Sequence, residues 1–302
     1  MRLDDLPESS NIEDRRQEGG GGFGGMPGGR GGLGIGTVVV LGLVGWALGI
    51  DPRLLIGGAE LVSGGGSQTQ APVRNRPTGA PQDEMGREVS KILGSTEVVW
   101  KDIFVKAGNS YRAPTLVMYT GSTAARCGMA QSAMGPFYCP VDEKVYLDTS
   151  FFREIQTRFR GCDAGSRSCL FAQSYVFAHE VGHHVQKLLG ILPRVQQQQQ
   201  AMASKAAANH LQVEVELQAD CFAGVWANHS QERWKELDPG DIDAALRTAS
   251  AIGDDTLQRQ AQGRVVPDSF THGTSAQRQR WFNSGFKGGN VASCNTFAAT
   301  QL

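Results

Sequence analysis

Apolar residues recur at intervals of three and four along most of the chain after residue 83, and this spacing is typical of amphipathic helices. The clearest case runs from 168 to 190, where Gly190 closes the pattern and Pro193 lies beyond it. The glutamine run at 196–200 is interpreted as helix surface rather than as a binding element. Helices are predicted at 85–104, 151–159, 168–190, 201–230, 241–255 and 275–286.

Two shorter stretches are rich in β-branched and aromatic residues and predict strands. They are 113–121 ("APTLVMYTG") and 143–150 ("EKVYLDTS"), and residues 128–140 between them are predicted to form a loop. The fold class that follows is α+β, mainly helical with a small β-sheet.

The first 82 residues have a different pattern. Residues 1–32 are polar and then glycine-rich, so they bury too little apolar surface to offset their ordering entropy and are predicted to be disordered. Residues 33–50 carry no charge and just reach the length of a bilayer-spanning helix, which predicts a transmembrane anchor. Residues 51–82 are predicted to be a flexible linker, and residues 83–302 the folded domain.

The apolar segment has two other interpretations: a buried core helix, or a signal peptide cleaved near residues 47–49. The leader is long and acidic, which favours an uncleaved anchor. Arg15, Arg16 and Arg30 precede the segment and Arg53 follows it, which places the N-terminus in the cytoplasm. The predicted localisation is therefore a single-pass membrane protein with its folded domain on the periplasmic or extracellular side.

The net charge is −1, and we find no basic stripe, which argues against nucleic acid as a partner. All six cysteines follow residue 100, and none forms a CxxC pair. An even count suits disulfides in an oxidising compartment. Short spacings suggest the pairs Cys127–Cys139 and Cys162–Cys169, which leaves Cys221–Cys294 by elimination. Buried free thiols are the alternative.

Candidate chemistry begins with "AHEVGHHVQ" at 178–186, in the middle of the longest apolar helix pattern. His179 and His183 are four residues apart, so they share one helix face and can bind one metal ion. Glu180 is turned about 100° away, which suits a general base that takes a proton from an attacking water. The motif predicts a zinc peptidase site that lacks its third ligand.

The third ligand must come from elsewhere in the chain. The metzincin extension would need Gly and His where Gln186 and Leu189 stand, so that class is excluded. Glu216 and Asp220 lie on one face of another predicted helix, in an apolar context. Glu216 is the candidate ligand, and Asp220 a carboxylate that orients a ligand histidine. Glu214 points to a different face and is assigned to the surface.

The other histidines are weighed in the same way. His184 is turned about 100° from His183 and is predicted to be a packed or hydrogen-bonded residue. His210 and His229 have no partner pattern and are assigned structural or exposed roles. His272 lies in a short turn before a helix that carries Arg278. It is either an oxyanion donor or an ordinary histidine near a helix cap, and the residues alone do not decide.

The domain from about residue 83 resembles a bacterial family, the putative neutral zinc metallopeptidases. The family is similar to the gluzincins, whose third zinc ligand is a glutamate in an ExxxD helix. The resemblance rests on "GPFYCPVDEKVYLDTSFF", "AHEVGHHVQ", "ELQADCFAGVWA" and "THGTSAQRQRWF".

That resemblance implies a zincin-like fold with the ligands His179, His183 and Glu216. It also implies Glu180 as the base and Asp220 as the residue that orients a ligand. It adds weight to His272 as the oxyanion donor, because related membrane gluzincins have a histidine followed by an arginine in a late segment.

Together these features predict a membrane-tethered zinc metalloendopeptidase that acts on peptide or protein substrates, with Zn²⁺ as its cofactor and the bilayer as a second partner. The strand at 143–150 is a candidate for pairing with an extended substrate. The alternative is a catalytically silent, zinc-stabilised, membrane-anchored module for binding or chaperone-like work. Glu180 argues against that alternative, because a structural zinc site needs no general base.

Overall fold

The structure, a computed structural model, describes residues 1–17, 78–157 and 167–302. The strands of this part are β1 (Ile12–Asp14), β2 (Thr115–Tyr119), β3 (Ser122–Ala125), β4 (Gly128–Gln131), β5 (Phe137–Cys139) and β6 (Lys144–Asp148). The helices of this part are α1 (Glu84–Lys106), α2 (Phe151–Thr157), α3 (Arg167–Leu188), α4 (Ile191–Ala201), α5 (Lys205–Trp234), α6 (Asp241–Ala251), α7 (Asp254–Gln262) and α8 (Ser275–Gly288).

Four of the strands form one sheet in the order β1-β2-β6-β5. β1, β2 and β6 run parallel, and β5 pairs antiparallel with β6. The predicted strands at 113–121 and 143–150 are confirmed as β2 and β6, at the centre of this sheet. The prediction of a loop at 128–140 is wrong, because this stretch contains β4 and β5. Both strands are only three or four residues long, and cross-strand pairing stabilises them more than any local pattern does.

β3 and β4 form a separate hairpin. Its turn is joined to the sheet by the disulfide Cys127–Cys139, with the two Cα atoms 5.8 Å apart. A small apolar cluster that includes Tyr119, Ala130 and Tyr146 fills the space between hairpin and sheet. The main core lies among the sheet and the helices, and the candidate site described below is formed by helices.

Helix α5 is central, because α3 and α8 pack directly against it. The α5–α8 crossing is close at two glycines. A Cβ on Gly224 would lie 2.1 Å from the carbonyl oxygen of Phe282, and one on Gly285 would lie 1.9 Å from that of Cys221. Side chains at these positions would force the helices apart. A second disulfide, Cys221–Cys294, fixes the C-terminal segment to the same region of α5.

The helix predictions are confirmed for α1, α2, α3, α5 and α8, and one other is corrected. Residues 241–255 form two helices, α6 and the start of α7, rather than one. A further helix, α4, follows Gly190, at φ +70°, and contains the glutamine run interpreted as helix surface. Pro193 lies in the first turn of α4, where a missing backbone N–H has no cost.

The prediction of a disordered N-terminus is wrong for residues 1–17. β1 is an edge strand paired with β2. The Ser9 backbone N–H donates to the Ser90 carbonyl at 3.1 Å. Glu13 is buried between Lys144 and Arg15, and each of the two nitrogens lies 2.5 Å from a Glu13 carboxylate oxygen. Composition alone could not reveal this strand, because Glu13 is buried only through partners that include a residue distant in sequence.

The predicted transmembrane segment, 33–50, lies outside the described residues. Within the ranges that the structure describes, no helix is long and apolar enough to cross a bilayer. The predictions of a transmembrane helix and of a single-pass localisation are therefore wrong for the described part of the chain.

Two of the arginines used to orient the segment have another role. Arg15 is buried in the sheet with Glu13, and Arg16 contacts Asp14 and Asp83. They stabilise the domain through ion pairs, and lipid anchoring has no support among the described residues.

Candidate metal centre

Helix α3 presents the histidine pair to α5 across a close contact. A Cβ on Gly182, within the histidine motif, would lie 3.0 Å from the carbonyl oxygen of Ala219 on α5. The absence of a side chain at Gly182 lets the two helices approach. Glu216, about one turn before Ala219, then faces His179 and His183.

Three atoms converge between the helices. Nε2 of His179 lies 3.2 Å from Oε2 of Glu216, and Nε2 of His183 lies 3.5 Å from the same oxygen. The ligand atoms of His179, His183 and Glu216 all lie within 4.8 Å of one another, so they could hold a metal ion. All three side chains are largely buried. The structure thus brings together the three residues that the sequence singled out as ligands.

Asp220 lies one turn after Glu216 and is fully buried. Its Oδ1 lies 2.9 Å from Nδ1 of His179 and accepts a hydrogen bond from the Tyr175 hydroxyl at 2.6 Å. Arg278 on α8 donates to both carboxylate oxygens, at 2.8 and 2.9 Å. An anion facing Nδ1 favours a proton on that nitrogen, so Nε2 is the nitrogen that would give up its proton to bind a metal ion at the centre. The guanidinium of Arg278 balances the charge of Asp220.

The ionisation of the centre follows from burial and charge together. Burial lowers the pKa of His179, but the neighbouring Asp220 and Glu216 outweigh it and raise that pKa to about 10. Burial raises the pKa of Glu216, but the charges of His183 and His272 hold it well below its usual value. Burial also raises the pKa of Asp220, and Arg278 and His179 reverse this, so that pKa too is lowered. Both carboxylates are therefore anionic at neutral pH.

Two glutamines contact the candidate ligands His183 and Glu216. Nδ1 of His183 lies 2.9 Å from Oε1 of Gln186, three residues further along α3. Gln212, one turn before Glu216, donates from Nε2 to Oε1 of Glu216 at 2.9 Å. The second oxygen of Glu216 is thereby occupied, and Oε2 is the oxygen that faces the histidines.

Glu180 follows His179 on α3 and has 8% of its surface exposed. Its helix position is displaced from that of the two histidines, so it flanks the centre rather than forming part of the three-atom cluster.

His272 is brought towards the same centre by a loop. Asp254 accepts the backbone N–H groups of Thr271, His272 and Gly273 at 2.7, 2.6 and 3.1 Å. Oδ1 of Asp254 also lies 3.4 Å from Nδ1 of His272. A Cβ on Gly273 would lie 3.1 Å from Leu217, the neighbour of Glu216. The His272 side chain is 52% exposed, and its charge is one of those that lower the pKa of Glu216.

The remaining histidines have other partners. His184 is buried between the carbonyl of Arg112 and the hydroxyl of Tyr138, as expected of a hydrogen-bonded residue. His210 pairs with Glu214 at 3.7 Å on the outer part of α5. His229 contacts the carbonyl of Gly289.

The structure contains two of the three predicted cysteine pairs. Cys127 is joined to Cys139, and Cys221 to Cys294. Cys169 is also disulfide-bonded, and its predicted partner, Cys162, lies outside the described residues. The alternative of free thiols does not apply to the described cysteines.

Local sequence patterns assigned no role at the centre to Gln186, Gln212 or Asp254, and connected Arg278 only with His272. Gln186 and Gln212 lie three or four residues from a candidate ligand, on the same helix face, so spacing could have indicated them. Asp254 and Arg278 belong to other elements. Arg278 contacts Asp220 from 58 positions away, and no local pattern predicts that contact.

Two uncharacterized bacterial proteins are similar to this chain over most of its length. The uncharacterized protein YpfJ of Escherichia coli is 49% identical over 302 residues, covering 98% of this chain and 99% of its own. The uncharacterized protein Rv2575 of Mycobacterium tuberculosis is 38% identical over 277 residues, covering 84% of this chain and 85% of its own. No solved structure matches the chain.

A family model extends the relationship to almost every residue. The model of the putative neutral zinc metallopeptidases matches residues 1–297, which include strand β1, the histidine pair of α3 and the carboxylates of α5. The match therefore begins before the N-terminal strand. By this match, the chain belongs to the putative neutral zinc metallopeptidase family.

Proposed function

We propose that this protein is a zinc metalloendopeptidase. The observation that carries the proposal is the convergence of Nε2 of His179, Nε2 of His183 and Oε2 of Glu216. Two imidazoles and one carboxylate are a common ligand set of catalytic zinc and leave a fourth position for the reaction. A closed structural zinc site usually has four protein ligands, whereas this cluster, among the described residues, has three.

The orientation of the two histidine rings also fits Zn²⁺. Nδ1 of each histidine faces an acceptor, Asp220 in one case and Gln186 in the other, so Nε2 of each histidine is the nitrogen available to a metal ion. Arg278 balances the charge of Asp220, which leaves Glu216 as the anion that faces the cation. When bound, Zn²⁺ supplies Lewis-acid chemistry, acidifying water and polarising a carbonyl group.

Two residues of the chain would then transfer the proton and stabilise the developing negative charge. The Glu180 carboxylate takes a proton from the attacking water and passes it to the leaving amine nitrogen. His272 donates a hydrogen bond from its ring to the oxygen that becomes negatively charged. Asp254 holds the backbone of the His272 loop and faces Nδ1, which assigns Nε2 of His272 to the oxyanion.

Substrate pairing is assigned to a different strand from the one suggested by the sequence. β6 is hydrogen-bonded to β2 on one side and β5 on the other, so it offers no edge to a peptide. β5 is the terminal strand of the described sheet and packs against α3. An extended substrate can add to that edge. A peptide-like inhibitor bound away from β5 in a crystal structure would contradict this assignment.

The decisive test compares wild type with Glu180→Gln on a diverse peptide library, with zinc content measured in both. We expect wild type to cleave, and the variant to keep its zinc while losing roughly 10²- to 10⁴-fold in activity, the usual scale for a general base. Glu214→Gln is the matched control, because Glu214 contacts His210 rather than the three converging atoms. Equal zinc with no cleavage by wild type would instead support a silent zinc-stabilised module.

A further inference from the structure

The two histidines of the candidate centre are oriented by different chemistry. His179 faces the charged Asp220, whereas Nδ1 of His183 lies 2.9 Å from the side-chain oxygen of Gln186, a neutral amide. Gln186 is fully buried. A buried amide oxygen beside an imidazole nitrogen requires a proton on that nitrogen. The contact therefore selects the His183 tautomer whose Nε2 carries the lone pair.

The orientation of the Gln186 amide is itself fixed. Its Nε2 donates to the backbone carbonyl of Val215 at 2.8 Å and to Oε1 of Gln218 at 3.0 Å. Both N–H groups of the amide are used by acceptors on α5. Exchange of the amide nitrogen and oxygen would place acceptor against acceptor there, so the oxygen must face His183.

Gln218 is held in turn by the C-terminal segment. Its Nε2 donates to the carbonyl oxygen of Cys294 at 2.9 Å. Cys294 is tied to α5 through its disulfide with Cys221. A continuous chain of contacts thus runs from the disulfide-bonded segment through Gln218 and Gln186 to His183.

We propose that Gln186 is a positioning residue for His183, and that Gln218 acts through it. The inference rests on the proposed zinc site and adds a way in which the chain orients one of its ligands. An apolar residue at 186 would let the His183 ring rotate and exchange tautomers, which weakens metal binding. Loss of such a partner typically lowers metal affinity by roughly 10- to 100-fold.

The test measures zinc affinity of the full chain by competition with a chelator of known affinity. Gln186→Met keeps the approximate side-chain length and removes the hydrogen bonds, and we expect zinc binding about 10- to 100-fold weaker. Gln218→Met leaves Gln186 in place and should show a smaller loss. Gln231→Met is the matched control, because Gln231 accepts from the backbone of Leu237 about 22 Å along α5 from Glu216.

A spectroscopic readout separates positioning from general destabilisation. In protein with ¹⁵N-labelled histidine, Gln186→Met should shift or broaden the Nδ1–H signal of His183 and leave that of His179 in place. Wild-type zinc affinity or an unchanged His183 signal in this variant would overturn the inference. If Gln186→Met does not fold, wild-type affinity in Gln218→Met overturns it instead. Absence of zinc binding by the wild-type protein would contradict the proposed function itself.

Discussion

Two buried carboxyl groups near helix α5 have pKa values shifted in opposite directions. Asp220, in the middle of the helix, is fully buried, and its pKa is lowered because Arg278 and His179 outweigh burial. Glu236, two residues past the end of the helix, is 2% exposed, and burial raises its pKa to about 7. Ser230 and the N-terminal ammonium group offset that burial only in part.

The difference shows what the candidate centre requires. Burial drives a carboxyl group towards its neutral form, as at Glu236. Asp220 remains an anion because a guanidinium, a phenol and an imidazole all donate to it. A buried anion with that many donors serves a purpose beyond packing, and here it orients His179. The ionisation of Asp220 is a property of its partners rather than of its depth.

The largest effect is expected from removing the charge of Asp220. Asp220→Asn leaves Arg278 buried without its counter-charge, so the free energy of unfolding should fall by about 3 to 5 kcal/mol. Denaturant unfolding of the metal-free protein measures this. Asp102→Asn is the control, because Asp102 and Arg233 form an exposed pair worth about 0 to 1 kcal/mol. Equal losses in the two variants would show that the Asp220 charge does not hold Arg278.

Removing the carboxyl group of Glu236 is expected to have the opposite effect on stability, an increase in the free energy of unfolding. Its folded pKa of about 7 exceeds the ordinary value of 4.5, so the group weakens stability as pH rises from 4.5 through 7. The difference between these two pKa values corresponds to about 3 kcal/mol above pH 7. Glu236→Gln should therefore stabilise the protein by up to that amount at pH 8 and have no effect at about pH 4.

Urea unfolding at the two pH values measures the Glu236 effect. Glu232→Gln provides the control, because Glu232 is exposed near the same end of α5. A gain from Glu236→Gln that is the same at both pH values would contradict the assigned ionisation, since the carboxyl group of the wild type is largely protonated at the lower one.

The sequence predicts what local spacing determines. His179 and His183, or Glu216 and Asp220, share a helix face through a four-residue interval, and the structure places all four side chains together. The long helices follow from the same periodicity.

The features that the sequence does not predict depend on contacts between distant segments of the chain. β1 is three residues long and includes the charged Glu13. Ion pairs with Lys144 and Arg15 compensate for the burial of this charge. The pairing of β1 with β2 joins residues about a hundred positions apart, so composition near residue 12 could not predict it. The contact of Asp220 with Arg278 likewise depends on the α5–α8 crossing, which no local pattern encodes.

The smallest effect concerns the third carboxylate, Glu216, whose outer oxygen is held by a neutral amide rather than a charge. Gln212→Met removes this hydrogen bond, worth about 0.5 to 1.5 kcal/mol, so zinc affinity should fall by roughly 2- to 10-fold. Gln199 donates to Gln212 at 3.1 Å, so Gln199→Met should have a weaker effect in the same direction. Gln200→Met, at an exposed position of the same glutamine run, should leave chelator competition unchanged. Wild-type zinc affinity in Gln212→Met, or an equal loss in Gln200→Met, would mean that the amide of Gln212 does not act on Glu216.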